Sequence, residues 1–300
     1  MKTLLTLTKR NVKMFFADKG LFFTSLITPV ILLVLYVTFL GNVYRDVYDQ
    51  VLGPFGVADK VINGFVGGQL VSSLIAVTCV TVAFCSNMLM VQDKMTGMTQ
   101  DMLITPVKRS VSAMAYFIAC FGVTYFICLV AAVGGFAYIA SQGWYLSALD
   151  VVSVLLDMAL LVTFGTALSS CVNFFMSTQG QISAVGSIVS SCYGFICGAY
   201  MPISQFPEWL QKVIAFLPGT YGTAILRNDI MRGCIAEIEK SDVPADQIVL
   251  LKDSVDCNIY LLDHSVEAWQ MYLILGGATV LLIGAYVLFH ITGRKAKNKS

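Results

Sequence analysis

Charge is scarce in this sequence: Asp, Glu, Lys and Arg together make up 12% of its 300 residues, against 57% hydrophobic. So little charge cannot cover a soluble globular surface, and the apolar residues come in long unbroken blocks rather than scattered. Histidine is rarer still. His264 and His290 are the only two, and neither H-E-x-x-H nor C-x-x-C occurs, so no metal site is supported. His290, at the end of the last apolar block, reads as an interface residue, and His264, in an acidic segment, as a solvated side chain. No G-x-x-x-x-G-K-[ST] is present, which denies the chain a P-loop of its own. No catalytic residue is expected. Proline is sparse as well, yet of the 7 prolines Pro202, Pro207 and Pro218 crowd into the short stretch where one apolar run ends.

What the sequence does have is apolar length. A hydrocarbon core of ~30 Å needs about 20 apolar residues per helical span, and only helices or closed barrels satisfy the backbone there. Six blocks read as transmembrane helices: 21–41, 64–91, 111–140, 151–172, 180–201 and 271–290. The fold class expected is therefore an all-α polytopic membrane protein. The first block is not read as a cleaved signal peptide, because a long basic stretch with helical pattern precedes it and no small-residue cleavage site follows.

The charges that exist are sorted by side. Lys2, Lys9, Arg10, Lys13 and Lys19 precede the first block, Lys94, Lys108 and Arg109 lie between the second and third, and Arg294, Lys295, Lys297 and Lys299 end the chain. The positive-inside rule puts these ends, and so both termini, in the cytoplasm of a cell-membrane protein. The segments 42–63, 141–150 and 202–270 fall on the other side, and the last holds ten of the 18 acids. The net charge of +1 hides this asymmetry. It gives no sign of a nucleic-acid partner, and topology together with anionic membrane lipids accounts for the basic clusters.

Residues 1–20 do not span. At helical spacing Leu4, Leu5, Leu7, Val12, Phe15 and Phe16 gather on one side and Lys2, Thr6, Lys9, Arg10 and Lys13 on the other, the pattern of an interfacial helix that turns at Asp18, Lys19 and Gly20 into the first span. A disordered basic leader is the alternative.

At the crowded prolines, Pro202 ends a helix easily and Pro207 suits the first turn of the next. Trp209, Leu210, Val213, Phe216 and Leu217 then recur at helical spacing in a piece too short to cross a bilayer. Pro218 and Gly219 turn the chain into a second short piece, through Tyr221, Ile225, Leu226 and Arg227 to a stop at Gly233. Broken backbone at membrane depth is tolerated where protein or a wet cavity covers it, so this stretch reads as a re-entrant cap over the outer end of a pathway, with Pro202, Pro207, Trp209, Pro218, Tyr221 and Arg227 as its gate residues.

Four further features bear on function. The segment 92–109 places Met95, Met98 and Met102 on one helical face between basic flanks, and flexible thioethers suit adaptable contacts with a partner protein. A loop helix resting on the bilayer is the alternative. Asp157 is the one acid firmly within a span. It would be the proton or cation site of an ion-coupled secondary transporter, or else a carboxylate that snorkels outward or pairs with a neighbouring helix. The fifth block is thick with small residues, from Ser183 to Gly198, as at a close helix or subunit interface. Of the nine cysteines, only Cys234 and Cys257 lie outside the apolar blocks, where an oxidising exterior could join them.

The residues resemble a known family. Membrane subunits of ABC-2 type exporters, the multidrug- and daunorubicin-resistance-like permeases of type V-like ABC systems, carry after the fifth of six spans a Gly, a Pro, a "P-x-W-L" helix and then "P-x-T-Y-x-x-x-x-L-R". Here these read Gly198, Pro202, "PEWL" from Pro207 and "PGTYGTAILR" from Pro218. The stretch 92–109 is similar to the same family through Gly97, Leu103, Thr105 and Pro106, with Met98 where the family usually has Thr and Gln100 where it often has Glu. The resemblance implies that Asp93, Gly97, Met98, Met102, Leu103, Thr105 and Pro106 belong to a coupling helix docking on a separate ATP-binding cassette subunit, which would hold the ATP and Mg. It implies a second permease copy or paralogue, and a pathway past Ser187, Ser191, Gly194 and Tyr200, for which simple packing is the alternative. The function implied is ATP-driven export of a hydrophobic or amphiphilic compound. A scaffold or sensor without transport would need a signalling domain that the sequence does not contain.

Overall fold

The computed structural model describes residues 2–99, 104, 107–241, 243–261 and 264–297. In chain order its helices are α1 Lys2–Ala17, α2 Lys19–Leu35, α3 Gly41–Leu52, α4 Asp59–Met95, α5 Arg109–Gln142, α6 Ala148–Phe174, α7 Gln179–Ile196, α8 Glu208–Ala215, α9 Pro218–Glu239, α10 Ala245–Ser254 and α11 Ala268–Lys297. Five helical segments among the described residues are long and apolar enough to cross a membrane: Lys19–Phe55, Asp59–Met95, Arg109–Gln142, Ala148–Phe174 and Ala268–His290. The chain is thus a multi-pass membrane protein of essentially helical architecture. One small departure is an antiparallel hairpin, β1 Ile259–Leu261 and β2 His264–Val266, pairing Ile259 with Val266.

Two of the expected spans differ. The first does not stop near 41: a π-helical turn at Tyr36–Leu40 passes directly into α3, and a 3-10 turn at Gly53–Phe55 ends it. Polar Asn42, Arg45, Asp46 and Asp49 hide the continuation from a hydropathy reading, while Tyr48 and Leu52 bury one face of it. The fifth, expected over 180–201, is a helix of only 18 residues that unwinds at Cys197, and its serines and glutamines leave it less apolar than the five spans.

α4 is the axis. It packs against α2, α3, α5, α6, α7 and α9, and nearly every residue from Val61 to Val91 is buried. A helix so enclosed must satisfy its polar groups locally. Thr78, Thr81 and Ser86 donate to the carbonyls of Leu74, Val77 and Val82 one turn back, at 2.6, 2.9 and 2.6 Å, and Asn87 Nδ2 donates to Ser169 and Ser170 of α6. The outer faces of the bundle are apolar instead: Phe23, Ile31 and Val34 on α2, Val130 and Val133 on α5, Leu156 on α6, and Val280 and Leu281 on α11 are all exposed, as lipid contact requires.

α1 forms as expected, and Asp18 caps α2 by accepting from the Leu21 amide at 3.1 Å, so the turn falls where the sequence places it. Its faces are rotated, however. Leu5 and Phe16 are exposed, while Asn11 and Phe15 are buried, because Phe15 packs with Leu21, Val82, Val123 and Ile127 rather than into lipid alone.

The larger correction concerns α9. It is no short surface piece stopping at Gly233 but a 22-residue helix running to Glu239, and it packs against α4, α6 and α11. Gly233 is there for close approach: a Cβ would lie 1.9 Å from the Tyr145 carbonyl oxygen. Gly233→Val is expected to lower the melting temperature in detergent, by the ~1–3 kcal/mol typical of overpacking. Unchanged melting would contradict the contact.

Candidate functional site

Polar chemistry concentrates at two levels of α4, around Ser73 in the half nearer the acidic segments and at its C-terminal end. At the acidic end, Arg227 of α9 is 1% exposed. Its Nη1 donates to the Val255 carbonyl at 2.6 Å and to Asp256 Oδ2 at 3.1 Å, and its Nη2 donates to Ser73 Oγ of α4 at 2.9 Å and to the Gly198 carbonyl at 3.0 Å. One guanidinium thereby ties α4, α9, the end of α7 and the segment after α10. Asp256 also accepts the Ile203 amide at 2.9 and 3.0 Å. Burial pushes its carboxyl above the ordinary aspartate value, with the Arg227 charge and these hydrogen bonds pulling the other way. Gly198 has φ +67°, and a Cβ there would meet Asp256 Oδ2 at 2.5 Å, so both its conformation and its neighbour demand glycine.

The proline corner is stapled rather than merely bent. Pro207 precedes α8, Pro218 is the first residue of α9, and the two residues after Gly219 reach back: Thr220 Oγ1 donates to the Ile214 carbonyl at 3.0 Å and Tyr221 Oη to the Ala215 carbonyl at 2.6 Å. Both acceptors are at the C-terminal end of α8, where helix carbonyls lack partners of their own. Pro202 opens a 3-10 turn over Ile203–Gln205. Of the expected gate residues, Arg227 and Tyr221 are buried in this joint, whereas Trp209 points away from it, 67% exposed.

At the basic end, Asp93 is 3% exposed. Arg10 of α1 grips it with both nitrogens, at 2.6 and 3.2 Å, and Tyr116 of α5 donates to the same carboxylate. Lys94 turns the other way and donates to the carbonyls of Asn173 and Phe174 at 3.2 and 2.8 Å, capping α6. Two adjacent charges on α4 therefore pin α1, α5 and α6. Beyond them Gly97, at φ +79°, turns the chain, and Met95 and Met98 expose their side chains. Met102, Leu103, Thr105 and Pro106 lie outside the described residues.

Set against known families, residues 2–231 match the ABC-2 type transporter model. The chain belongs to this family. It is the permease component of an ABC transporter, a membrane subunit without an ATPase site of its own. No curated protein matches the chain.

The permease's α7 presents one side outward: Ser183, Ser187, Ile188, Ser191, Cys192 and Phe195 are exposed at helical spacing. Ser187 and Ser191 thus share a free face. Gly194 does not; it is buried beneath the ring of Tyr200, whose hydroxyl donates to the Ser190 carbonyl at 3.3 Å. Tyr36, in the π turn of the first span, donates to the Ala199 carbonyl at 3.1 Å and so ties that span to the end of α7.

Asp157 is paired rather than snorkelling: Tyr272 of α11 donates to it at 2.6 Å. The His290 ring lies 5.0 Å from that of Phe174, and His264 is exposed. Cys234 and Cys257 do not pair. Both are buried free thiols: Cys234 faces Gly64 of α4, whereas the Cys257 carbonyl accepts from Asn228, six residues or ~9 Å back along α9.

Sequence reasoning missed Asp256, Ser73, Arg10 and Tyr116. Arg10 was legible only as one of several basic residues. Asp256 sits in an acidic segment where nothing marks one acid from the next, and no local pattern joins either to a partner far along the chain.

Proposed function

We propose that this permease is one half of a dimeric six-span membrane domain in the cell membrane, with both termini cytoplasmic, α7 as its short fifth span and the basic end of α4 facing the cytoplasm. Two separately encoded ATP-binding cassette subunits, holding ATP and Mg, drive it to export a hydrophobic or amphiphilic compound, as in type V-like systems. The observation that carries this reading is the double clamp at Asp93 and Lys94. It fixes the root of the 92–109 segment to three helices while leaving Met95 and Met98 exposed for a partner.

α4 then acts as the transmission. Between Asp93 and Ser73 it advances 20 residues, or ~30 Å at 1.5 Å per residue, from the coupling segment to the Arg227 joint. Because the rod is enclosed along that whole length, a push on one end cannot be absorbed by lipid. It is delivered to α9, the end of α7 and the stapled corner. The exposed Ser187 and Ser191 face of α7 lines the route between two copies, and its weak polarity favours an amphiphile over a bare ion.

Charge reversal tests the docking. Met98→Glu together with Met102→Glu should abolish co-purification of the ATP-binding subunit and substrate-stimulated ATP hydrolysis while leaving membrane abundance intact. Full coupling in the double variant would remove the segment from the mechanism.

A further inference from the structure

A cavity of about 180 Å³ opens at the basic end, where the root of the coupling segment, the start of α5 and the C-terminal parts of α6 and α11 meet. The route along α7 does not use it. Its lining carries two cations, Lys94 and Arg109, and no acid. Asp93, next to Lys94 in the chain, is already held by Arg10 and Tyr116, and among the described residues neither Lys94 nor Arg109 forms an ion pair. The cavity therefore holds positive charge that the chain itself leaves uncompensated.

Its polar groups divide into those already used and those still open. Lys94 gives its hydrogens to the carbonyls of Asn173 and Phe174 at 3.2 and 2.8 Å, so it supplies charge, and the Tyr116 hydroxyl is committed to Asp93. Thr99 Oγ1 is buried without a hydrogen-bond partner, where a buried hydroxyl ordinarily has one. Arg109 is exposed at the rim. The first turn of α5 forms part of this wall, with no side-chain cap from Lys108 and no acid in the turn, so the positive end of a 34-residue helix adds to the field.

The rest of the wall is apolar and leads out to lipid. Phe174 closes one side, with its ring 5.6 Å from Phe289, and Phe289 lies 5.0 Å from Phe175, which is 63% exposed. Met114 and Ile118, in the first turns of α5, are exposed as well. An acid-free positive cradle beside an exposed apolar surface suits a ligand that is anionic at one end and apolar along its length. We propose that the cavity binds the phosphate of an anionic phospholipid, with Arg109 and Thr99 Oγ1 donating to it, Lys94 supplying charge, and the acyl chains lying against Phe175 and Phe289. A zwitterionic lipid fits less well, because it brings a cation of its own beside Lys94 and Arg109. The bound lipid braces the root of the coupling segment against α5. Such a site needs only a chain embedded in a bilayer and is independent of which compound is exported.

The test is native mass spectrometry of the purified full chain titrated with phosphatidylglycerol or with phosphatidylcholine of the same acyl chains. The wild type should bind phosphatidylglycerol about fivefold more tightly or better. Arg109→Ala should weaken that binding about tenfold, as loss of a charged hydrogen bond does, and Thr99→Val should weaken it to a smaller extent, with phosphatidylcholine binding and melting temperature unchanged in both. Lys13→Ala, which removes an exposed cation of α1 at the same end, should leave it as in wild type. Equal binding of the two lipids by wild type, or phosphatidylglycerol binding that survives both Arg109→Ala and Thr99→Val, would overturn the proposal, and so would an equal fall in Lys13→Ala, the mark of diffuse surface charge. Displacement of the lipid by millimolar inorganic phosphate would give the cradle to the free ion, and displacement by docking of the ATP-binding subunit would give it to a protein carboxylate. Either result also overturns it.

Discussion

Arg227→Ala should leave little folded protein in the membrane. The side chain makes four hydrogen bonds to three separate parts of the chain and is 1% exposed, so truncation strips Asp256 of its counter-charge and two carbonyls of their donor at once. Removing one partner of a buried ion pair costs about 3–5 kcal/mol, a large share of a total stability of about 5–15 kcal/mol. Asp256 is at φ +52°, which Asn adopts more readily than most residues. Asp256→Asn should therefore be milder than Asp256→Ala, since it also retains an acceptor for the Ile203 amide. Membrane abundance and melting temperature in detergent report both effects. Wild-type melting of Arg227→Ala would mean that the joint does not hold the acidic end together.

Asp93→Ala should separate ATP hydrolysis from transport. The carboxylate is the common acceptor for Arg10 and Tyr116, and without it a guanidinium and a phenol are left to find other partners, at about 1–3 kcal/mol for the lost contacts. That strain falls on the root of the coupling segment and on its link to α1, while the distant Arg227 joint is untouched. Transport per ATP hydrolysed is expected to drop about tenfold, the equivalent of 1.4 kcal/mol in the position of the segment, with membrane abundance near wild type. Arg10→Ala should reproduce part of the loss, because Tyr116 still anchors Asp93. Wild-type transport in both variants would show that the clamp is ordinary packing.

The helices were legible in the sequence because apolar length is a local property, and so was the proline corner, since a missing N–H acts where it stands. What local reading cannot see is which side of a glycine is crowded. Gly233 looks like a helix stop, yet Tyr145 presses against it from another element and the helix continues. The first span looked shorter than it is because α3 sets Arg45, Asp46 and Asp49 among the buried Tyr48 and Leu52. At the site, the resemblance singled out Arg227, but its partners Ser73 and Asp256 stand 154 and 29 residues away. Arg10 and Asp93 are 83 apart, a pairing that only the fold creates. The cysteines follow the same rule: their places outside the apolar blocks leave a disulfide open, and the fold instead buries both as free thiols.

The most direct test of the account is uptake of a fluorescent amphiphile by inside-out membrane vesicles that contain the permease and its ATP-binding subunit. Uptake should require hydrolysable ATP, survive collapse of the proton gradient by an uncoupler, and vanish in the Met98→Glu, Met102→Glu double variant. Uptake that proceeds without ATP and stops when the gradient collapses would contradict it and return Asp157 to the role of an ion-coupling site.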